Sequence, residues 1–138
     1  MPTNSLITRV PALTSRNFIC LEQSVHHNGR EDRIWSFDCG PVETGYSACS
    51  QSGYVNQYDE PISYLCPGNG VVAGVASVHS NTAEDRRFDF KCCYLEGVFW
   101  TDCYVTSFLH DFDRPLDYSV DPGYYIVGGF SIHSNRQE

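Results

Sequence analysis

Apolar and charged residues alternate in one stretch near the middle of the chain. Residues 85–92 read D-R-R-F-D-F-K-C, with a charged residue at every odd position. An alternation of period two is typical of a β-strand that turns one face toward a core. We predict that the charged face, including Arg87, meets water, so that replacing Arg87 has little effect. The predicted core-facing positions are Arg86, Phe88, Phe90 and Cys92.

An apolar segment rich in β-branched residues precedes this strand. It reads G-V-V-A-G-V-A-S-V-H over residues 70–79, and five polar residues then turn the chain. This pattern predicts a β-hairpin with a loop of medium length. His79 would end the first strand and Asp85 would begin the second, so we predict a hydrogen bond between them. By the same reasoning His26 would pair with Asp32.

The hairpin pattern occurs in three copies along the chain. V-H-H-N-G-R-E-D-R-I-W-S-F-D-C occupies 25–39, V-H-S-N-T-A-E-D-R-R-F-D-F-K-C-C occupies 78–93, and I-H-S-N-R-Q-E occupies 132–138. The His of each copy recurs after about 53 residues, and a period of this size indicates an array of one supersecondary unit. The third copy stops at the Glu that precedes Asp-Arg in the other two, so we predict that it is truncated.

These patterns define a fold class. We predict an all-β, antiparallel, disulfide-bonded fold with three pseudo-repeats in a compact prism-like or trefoil-like arrangement, because no stretch shows a sustained helical period. The predicted domain spans 17–138, with repeats at 17–56, 57–110 and 111–138, and it follows a disordered or loosely attached lead at 1–16. In this interpretation the first strand of the first repeat is largely missing, and the segment that carries Cys49 is a loop-rich linker.

The charge balance excludes several classes of partner. The 138 residues contain 17 Asp and Glu against 9 Lys and Arg, a net charge of −8. This acidity argues against nucleic acid and anionic membranes as partners, and no apolar run is long enough to insert in a bilayer. Seven Cys with one Met suggest disulfides in an oxidising compartment. The lack of a visible signal peptide and the odd Cys count suggest a fragment.

The repeated motifs resemble the dermatopontin family. The resemblance runs from about Phe18 to the end and rests on E-D-R-I-W-S-F-D-C (31–39) and E-D-R-R-F-D-F-K-C-C (84–93), with G-V-V-A-G-V-A-S-V-H-S-N (70–81) and Y-Y-I-V-G-G-F-S-I-H-S-N (124–135). It implies a secreted, non-enzymatic protein of the extracellular matrix without a cofactor, which binds proteoglycan, collagen or the cell surface. Relatives that act as haemagglutinating or cell-aggregating lectins, and one cytotoxin, imply the alternative of a lectin of innate defence that binds cell-surface glycans. A third interpretation is an interaction module of a longer chain.

The resemblance also implies a disulfide pairing, which the residues alone leave open. Cys20 would pair with Cys39 and Cys66 with Cys92, each within its own repeat. Cys49 would pair with Cys93 between repeats. Cys103 would then be a free or intermolecular thiol.

The residues of the repeat motif are interpreted as structural. A metal site at the recurring His is the less favoured alternative, because a hydrogen bond at each hairpin end accounts for the recurrence, and we predict no metal ligand. His110, Asp111 and Asp113 are interpreted as a solvated acidic loop. The structural positions are His26, Asp32, Arg33, Trp35, Phe37, His79, Asp85, Arg86, Phe88, Phe90 and His133. Aromatic residues in loops suit ligand contacts, and the candidates are Tyr54, Tyr58, Tyr118 and Tyr124.

The last repeat predicts an exposed strand edge. Residues 125–133 match the first strand of the second hairpin, but no second strand follows them in the sequence. An unpaired edge with apolar side chains favours edge-to-edge association. We therefore predict a homodimer, which Cys103 would link covalently under oxidising conditions.

Overall fold

The described residues of the chain form ten β-strands. The computed structural model describes residues 3–9, 18–27, 32–40, 46–95, 99–111 and 114–134, and there is no helix among them. None of these residues therefore belongs to a helix that could cross a membrane. The strands are β1 (Thr3–Arg9), β2 (Phe18–His27), β3 (Asp32–Gly40), β4 (Tyr46–Tyr54), β5 (Ser63–Leu65), β6 (Val71–Ser80), β7 (Asp85–Leu95), β8 (Thr101–Val105), β9 (Leu116–Ser119) and β10 (Tyr124–Ser131).

The strands form three antiparallel sheets. Their strand orders are β5-β10-β1-β8, β3-β2-β9 and β4-β7-β6. The predicted all-β, antiparallel class is therefore confirmed. The first strands of the three repeats, β2, β6 and β10, contact one another where the sheets meet. The prism-like or trefoil-like arrangement of the repeats stays a prediction.

Both predicted hairpins form, but their register differs from the one we expected. His79 lies opposite Arg86 and Ser80 opposite Asp85, while His26 lies opposite Arg33. Directly opposite residues of an antiparallel pair share a face, so His79 shares its face with Arg86. The predicted His79–Asp85 pair is wrong, because the loop is one residue shorter than that pairing requires. The His26–Asp32 hydrogen bond stays a prediction, because the side chain of His26 lies outside the described part of the structure.

Residues 3–9, which we expected to belong to a disordered or loosely attached lead, form β1. This strand lies between β10 and β8 and pairs with both, while β5 pairs with the other edge of β10. The predicted unpaired edge of β10 is therefore wrong, and the argument for a homodimer through that edge no longer holds. The physical reason is that an open strand edge is satisfied by any segment that can extend beside it, and the segment N-S-L-I-T-R does so.

Two further stretches that we expected to be irregular are strands. The linker before residue 56 contains β4, which pairs with β7, and the acidic segment after His110 leads into β9, which pairs with β2. The first strand of the first repeat is also present, since β2 has the same 10 residues of length as β6. These strands have polar or short sequences. Their strand conformation therefore depends more on pairing with a neighbouring strand than on their own hydrophobic pattern.

Two disulfides link cysteines in the described part of the chain. Cys66 is bonded to Cys92, and Cys49 to Cys93, which are the pairings that the resemblance implied. The Cys66–Cys92 bond lies in a buried cluster with Val72 and Ile126. Cys103 is exposed in β8 and belongs to neither bond. The side chains of Cys20, Cys39 and His26 lie outside the part of the structure that is described, so the Cys20–Cys39 bond stays a prediction.

Gly128 allows two strands of the first sheet to approach closely. It lies opposite Leu65, and a Cβ atom at this position would overlap the backbone carbonyl oxygen of Tyr64. Next to it, the Cys66 N–H donates to the carbonyl oxygen of Val127 at 2.8 Å. The glycine thus holds β5, and with it the Cys66–Cys92 disulfide, against β10.

Candidate functional site

An ion pair joins the first two repeats. Arg86 Nε donates to Asp32 Oδ1 at 2.6 Å, and Arg86 Nη2 donates to Asp32 Oδ2 at 2.9 Å. The third guanidinium nitrogen donates to Ser77 Oγ at 2.7 Å. His79 Nε2 lies 3.9 Å from the same carboxylate. Asp32 of the first repeat is therefore bound by Arg86 of the second repeat. His79, which lies near the same carboxylate, also belongs to the second repeat.

This junction sets the ionisation of Asp32. Burial by itself would raise the pKa of the carboxyl, but the hydrogen bonds from Arg86 and from the Arg33 backbone N–H outweigh it. The pKa of Asp32 is consequently lowered from its ordinary value of 3.8. The carboxylate is charged at neutral pH and serves as an acceptor for the guanidinium.

The second junction repeats the His–Asp contact without an arginine. His133 Nδ1 lies 3.9 Å from Asp85 Oδ2, and its Nε2 lies 3.3 Å from Asp59 Oδ1. Asp85 is buried, although the alternation placed it on the face toward water. Its carboxylate accepts a hydrogen bond of 2.8 Å from the backbone N–H of Asp59. Sequence reasoning missed Asp59, because no sequence pattern marks it. In the structure Asp59 lies in a turn with a positive φ of 61°.

His110 is buried, in contrast to the solvated loop that we expected. Its Nδ1 lies 3.3 Å from Arg33 Nη2 and 2.8 Å from the carbonyl oxygen of Asp111. Burial lowers the pKa of His110 to about 4, helped by the positive charge of Arg33 and opposed by the Asp111 backbone. Since His110 is neutral at physiological pH, it can pack beside the buried guanidinium of Arg33.

Mild acid is expected to destabilise the protein through His110. Its pKa is about 4 when folded and 6.5 ordinarily, so between these values the unfolded chain takes up a proton that the folded chain excludes. Stability should therefore fall as the pH drops from about 6.5 to 4, by about 1–3 kcal/mol from this group. Urea unfolding of wild type and His110→Gln at pH 7, 5.5 and 4 measures the difference. Identical pH profiles for the two proteins would contradict the assignment.

Three aromatic residues of the repeat motif line a cleft of ≈ 400 Å³ between the two hairpins. Trp35 stacks on Phe37 with ring centroids 6.1 Å apart and meets the edge of Phe88 at 5.8 Å. Arg33 and Arg86 also line the cleft, but both lie against partners within the protein. The contacts of these residues therefore favour the structural role that we assigned to them over a role in binding a ligand.

Two of the four candidate tyrosines come together around an arginine. The guanidinium carbon of Arg87 lies 4.2 Å from the ring centroid of Tyr54 and 4.9 Å from that of Tyr58. Tyr54 remains 50% exposed. Within the described part of the chain Arg87 has no carboxylate at ion-pair distance. Its side chain is therefore held by two aromatic rings instead of extending into water, which corrects our expectation for this face.

The other two candidate tyrosines support the core. Tyr118 and Tyr124 are half-buried and pack against the cluster around Cys66 and Cys92. Tyr124 also meets the edge of Tyr104 with ring centroids 5.6 Å apart. The structure thus brings Tyr54 and Tyr58 into one surface and places Tyr118 and Tyr124 elsewhere. We call the surface of Tyr54, Tyr58 and Arg87 the tyrosine–arginine surface.

The family model for dermatopontin matches residues 14–138. The chain belongs to the dermatopontin family. It is 42% identical to a dermatopontin of Biomphalaria glabrata over 103 residues, which cover 75% of this chain and 69% of that protein. No solved structure matches the chain.

Two other relatives carry names that describe activities. Millepora cytotoxin-1 of Millepora dichotoma is 35% identical over 83% of this chain and 51% of its own length. The hemagglutinin/amebocyte aggregation factor of Limulus polyphemus is 42% identical over 54% of this chain and 45% of its own length. The chain thus spans about half the length of these two relatives. Dermatopontins are extracellular, non-enzymatic matrix proteins.

Proposed function

We propose that this chain is a non-enzymatic adhesion protein of the extracellular matrix that binds the sugar chains of proteoglycans at the tyrosine–arginine surface. The observation that carries the proposal is the Arg87 guanidinium, which lies between two tyrosine rings without a carboxylate partner in the described residues. Dermatopontins among its relatives support the matrix role.

The chemistry of this surface suits an anionic sugar. A guanidinium presents a planar set of donors that matches sulfate and carboxylate oxygens, and a sugar ring can stack on an exposed aromatic face such as that of Tyr54. The net charge of −8 repels anionic chains at long range. Binding therefore depends on the local cation, and salt should weaken this contact while it also screens the long-range repulsion.

A lectin that binds cell-surface glycans is the second candidate. The aggregation factor of Limulus polyphemus favours it by its name. In that case stacking on Tyr54 and Tyr58 would supply most of the binding energy, and neutral monosaccharides would compete. Collagen is the other matrix partner that the resemblance implied. Binding to collagen would need neither a sugar chain nor a low salt concentration.

Replacing Arg87 is expected to weaken glycan binding more than it weakens the fold. A hydrogen bond to a charged group contributes about 1.5–3 kcal/mol, so Arg87→Ala and Tyr54→Ala should reduce affinity for an immobilised sulfated glycosaminoglycan roughly 10- to 100-fold. Surface plasmon resonance at two salt concentrations measures this. Lys91→Ala is the matched control, since Lys91 is an exposed cation on the same strand face.

Each outcome distinguishes the candidates. Equal losses for Arg87→Ala and Lys91→Ala would mean that net charge and not this surface governs binding, which contradicts the proposal. Agglutination of erythrocytes that free sugars inhibit, with little salt dependence, would favour the lectin. Collagen binding that survives both tyrosine substitutions would place the matrix contact elsewhere.

A further inference from the structure

A carboxylate is buried at the second junction, and no Lys or Arg of the described residues lies at ion-pair distance from it. Asp32 and Asp85 occupy the same position of the repeat motif, and Asp32 is paired with Arg86 through two hydrogen bonds. The side chain of Asp85 is only 4% exposed, and its partners are the N–H of Asp59 and the imidazole of His133. A buried carboxylate without a cation is costly, because its hydration is lost without an opposite charge.

The groups around Asp85 are metal ligands by type. A carboxylate oxygen of Asp59, a carboxylate oxygen of Asp85 and a ring nitrogen of His133 all lie within 4.8 Å of one another. His133 Nε2 and Asp59 Oδ1 are 3.3 Å apart. Ligand atoms of a tetrahedral zinc site with bonds of 2.0–2.1 Å are separated by about 3.3 Å. A small closing movement would bring the other distances into the same range.

Three separate segments supply these ligands. Asp59 lies in the turn between β4 and β5, Asp85 begins β7, and His133 follows the end of β10. The side chain of His133 is 5% exposed, whereas that of Asp59 is 49% exposed. The group therefore has two buried ligands and one that faces solvent, which leaves an entry path for an ion and room for a water ligand.

We propose that Asp59, Asp85 and His133 bind a divalent transition-metal ion. One imidazole nitrogen with two carboxylates favours Zn²⁺ or Mn²⁺ over Ca²⁺, which takes oxygen ligands alone. The ion would place a positive charge beside the buried carboxylate of Asp85. It would link the β4–β5 turn to the second hairpin and to β10, so metal binding and folding stability are coupled.

Metal titration of the chelator-treated chain tests the proposal. Zn²⁺, Mn²⁺ and Ca²⁺ are added separately and followed by isothermal titration calorimetry and thermal unfolding, in a Cys103→Ser background that removes the exposed thiol. We expect one Zn²⁺ or Mn²⁺ per chain, a higher melting temperature with either ion, and little response to Ca²⁺. A chain whose melting temperature is the same with and without Zn²⁺ and Mn²⁺ overturns the site.

The deciding variant is Asp59→Asn. Asn accepts a positive φ as Asp does, and the exposed position leaves the two buried ligands in place. Its affinity for Zn²⁺ should fall at least about tenfold, while the exposed control Asp121→Asn keeps the wild-type affinity. Asp85→Asn and His133→Gln should behave like Asp59→Asn if they fold. Equal affinities of Asp59→Asn and Asp121→Asn would show that any bound ion lies elsewhere.

Discussion

Replacing Cys66 and Cys92 by alanine is expected to lower the free energy of unfolding by about 3–5 kcal/mol. The bond closes a loop with a sequence separation of 26 residues, and the chain-entropy estimate for such a loop is about 3.5 kcal/mol. Both sulfurs are fully buried in the core cluster. Their removal also leaves a void beside Val72 and Ile126 and takes away a contact with the Tyr64 hydroxyl.

The second disulfide provides a matched comparison. The Cys49–Cys93 bond has a longer separation of 44 residues, so loop entropy alone would make its loss the more damaging by about 0.3–0.5 kcal/mol. However, it joins two strands that are already paired, whereas Cys66–Cys92 connects β5 to β7 of another sheet. We expect the loss of Cys66–Cys92 to cost at least as much. Urea unfolding of both double variants measures this, and a clearly larger effect at Cys49–Cys93 would contradict the role of the inter-sheet bond.

Arg86→Ala is expected to lower the free energy of unfolding by about 2–4 kcal/mol. The change removes two charge-assisted hydrogen bonds to Asp32 and leaves that carboxylate partly buried without its cation. The upper end of the range is limited, because both side chains keep a quarter to a fifth of their surface exposed. Loss of packing in the aromatic cleft adds to the effect.

A double-mutant cycle tests whether the effect comes from the ion pair. Asp32→Asn should cost less in the Arg86→Ala background than in the wild type, since the interaction is already gone. Lys91→Ala on the same strand is the control and should change stability by about 0.5 kcal/mol or less. Additive effects of Arg86→Ala and Asp32→Asn would mean that each residue acts through other contacts. Acid should remove the same ion pair, because Asp32 becomes protonated when the pH falls below its lowered pKa.

The candidate surface was only partly predictable. Loop position singled out Tyr54 and Tyr58, because loops carry accessible aromatic side chains. The alternation of β7 assigned Arg87 to a face open to water, and it could not reveal that β4 and the turn after it cover that face. Asp59 carries no pattern at all, since its role depends on a turn that brings it to a buried carboxylate 26 residues away.

By itself, the sequence determined the elements that depend on local chemistry. Period-two alternation and the Asp-Arg motif were enough to predict the two hairpins, because successive side chains of a strand point to opposite faces in any surroundings. The recurrence of the motif carried the resemblance, and with it the pairing of Cys66 with Cys92 and of Cys49 with Cys93.

The tertiary structure alone decided how the copies join. Strand edges are paired by backbone groups that every residue possesses, so the sequence does not mark which segment completes a sheet. For this reason β1 covers β10, and polar β4 pairs with β7. The contacts of Asp32 and Asp85 likewise pass from one copy to the next. A register shift of one residue redirects a side chain to another face, and only the packed structure fixes that register.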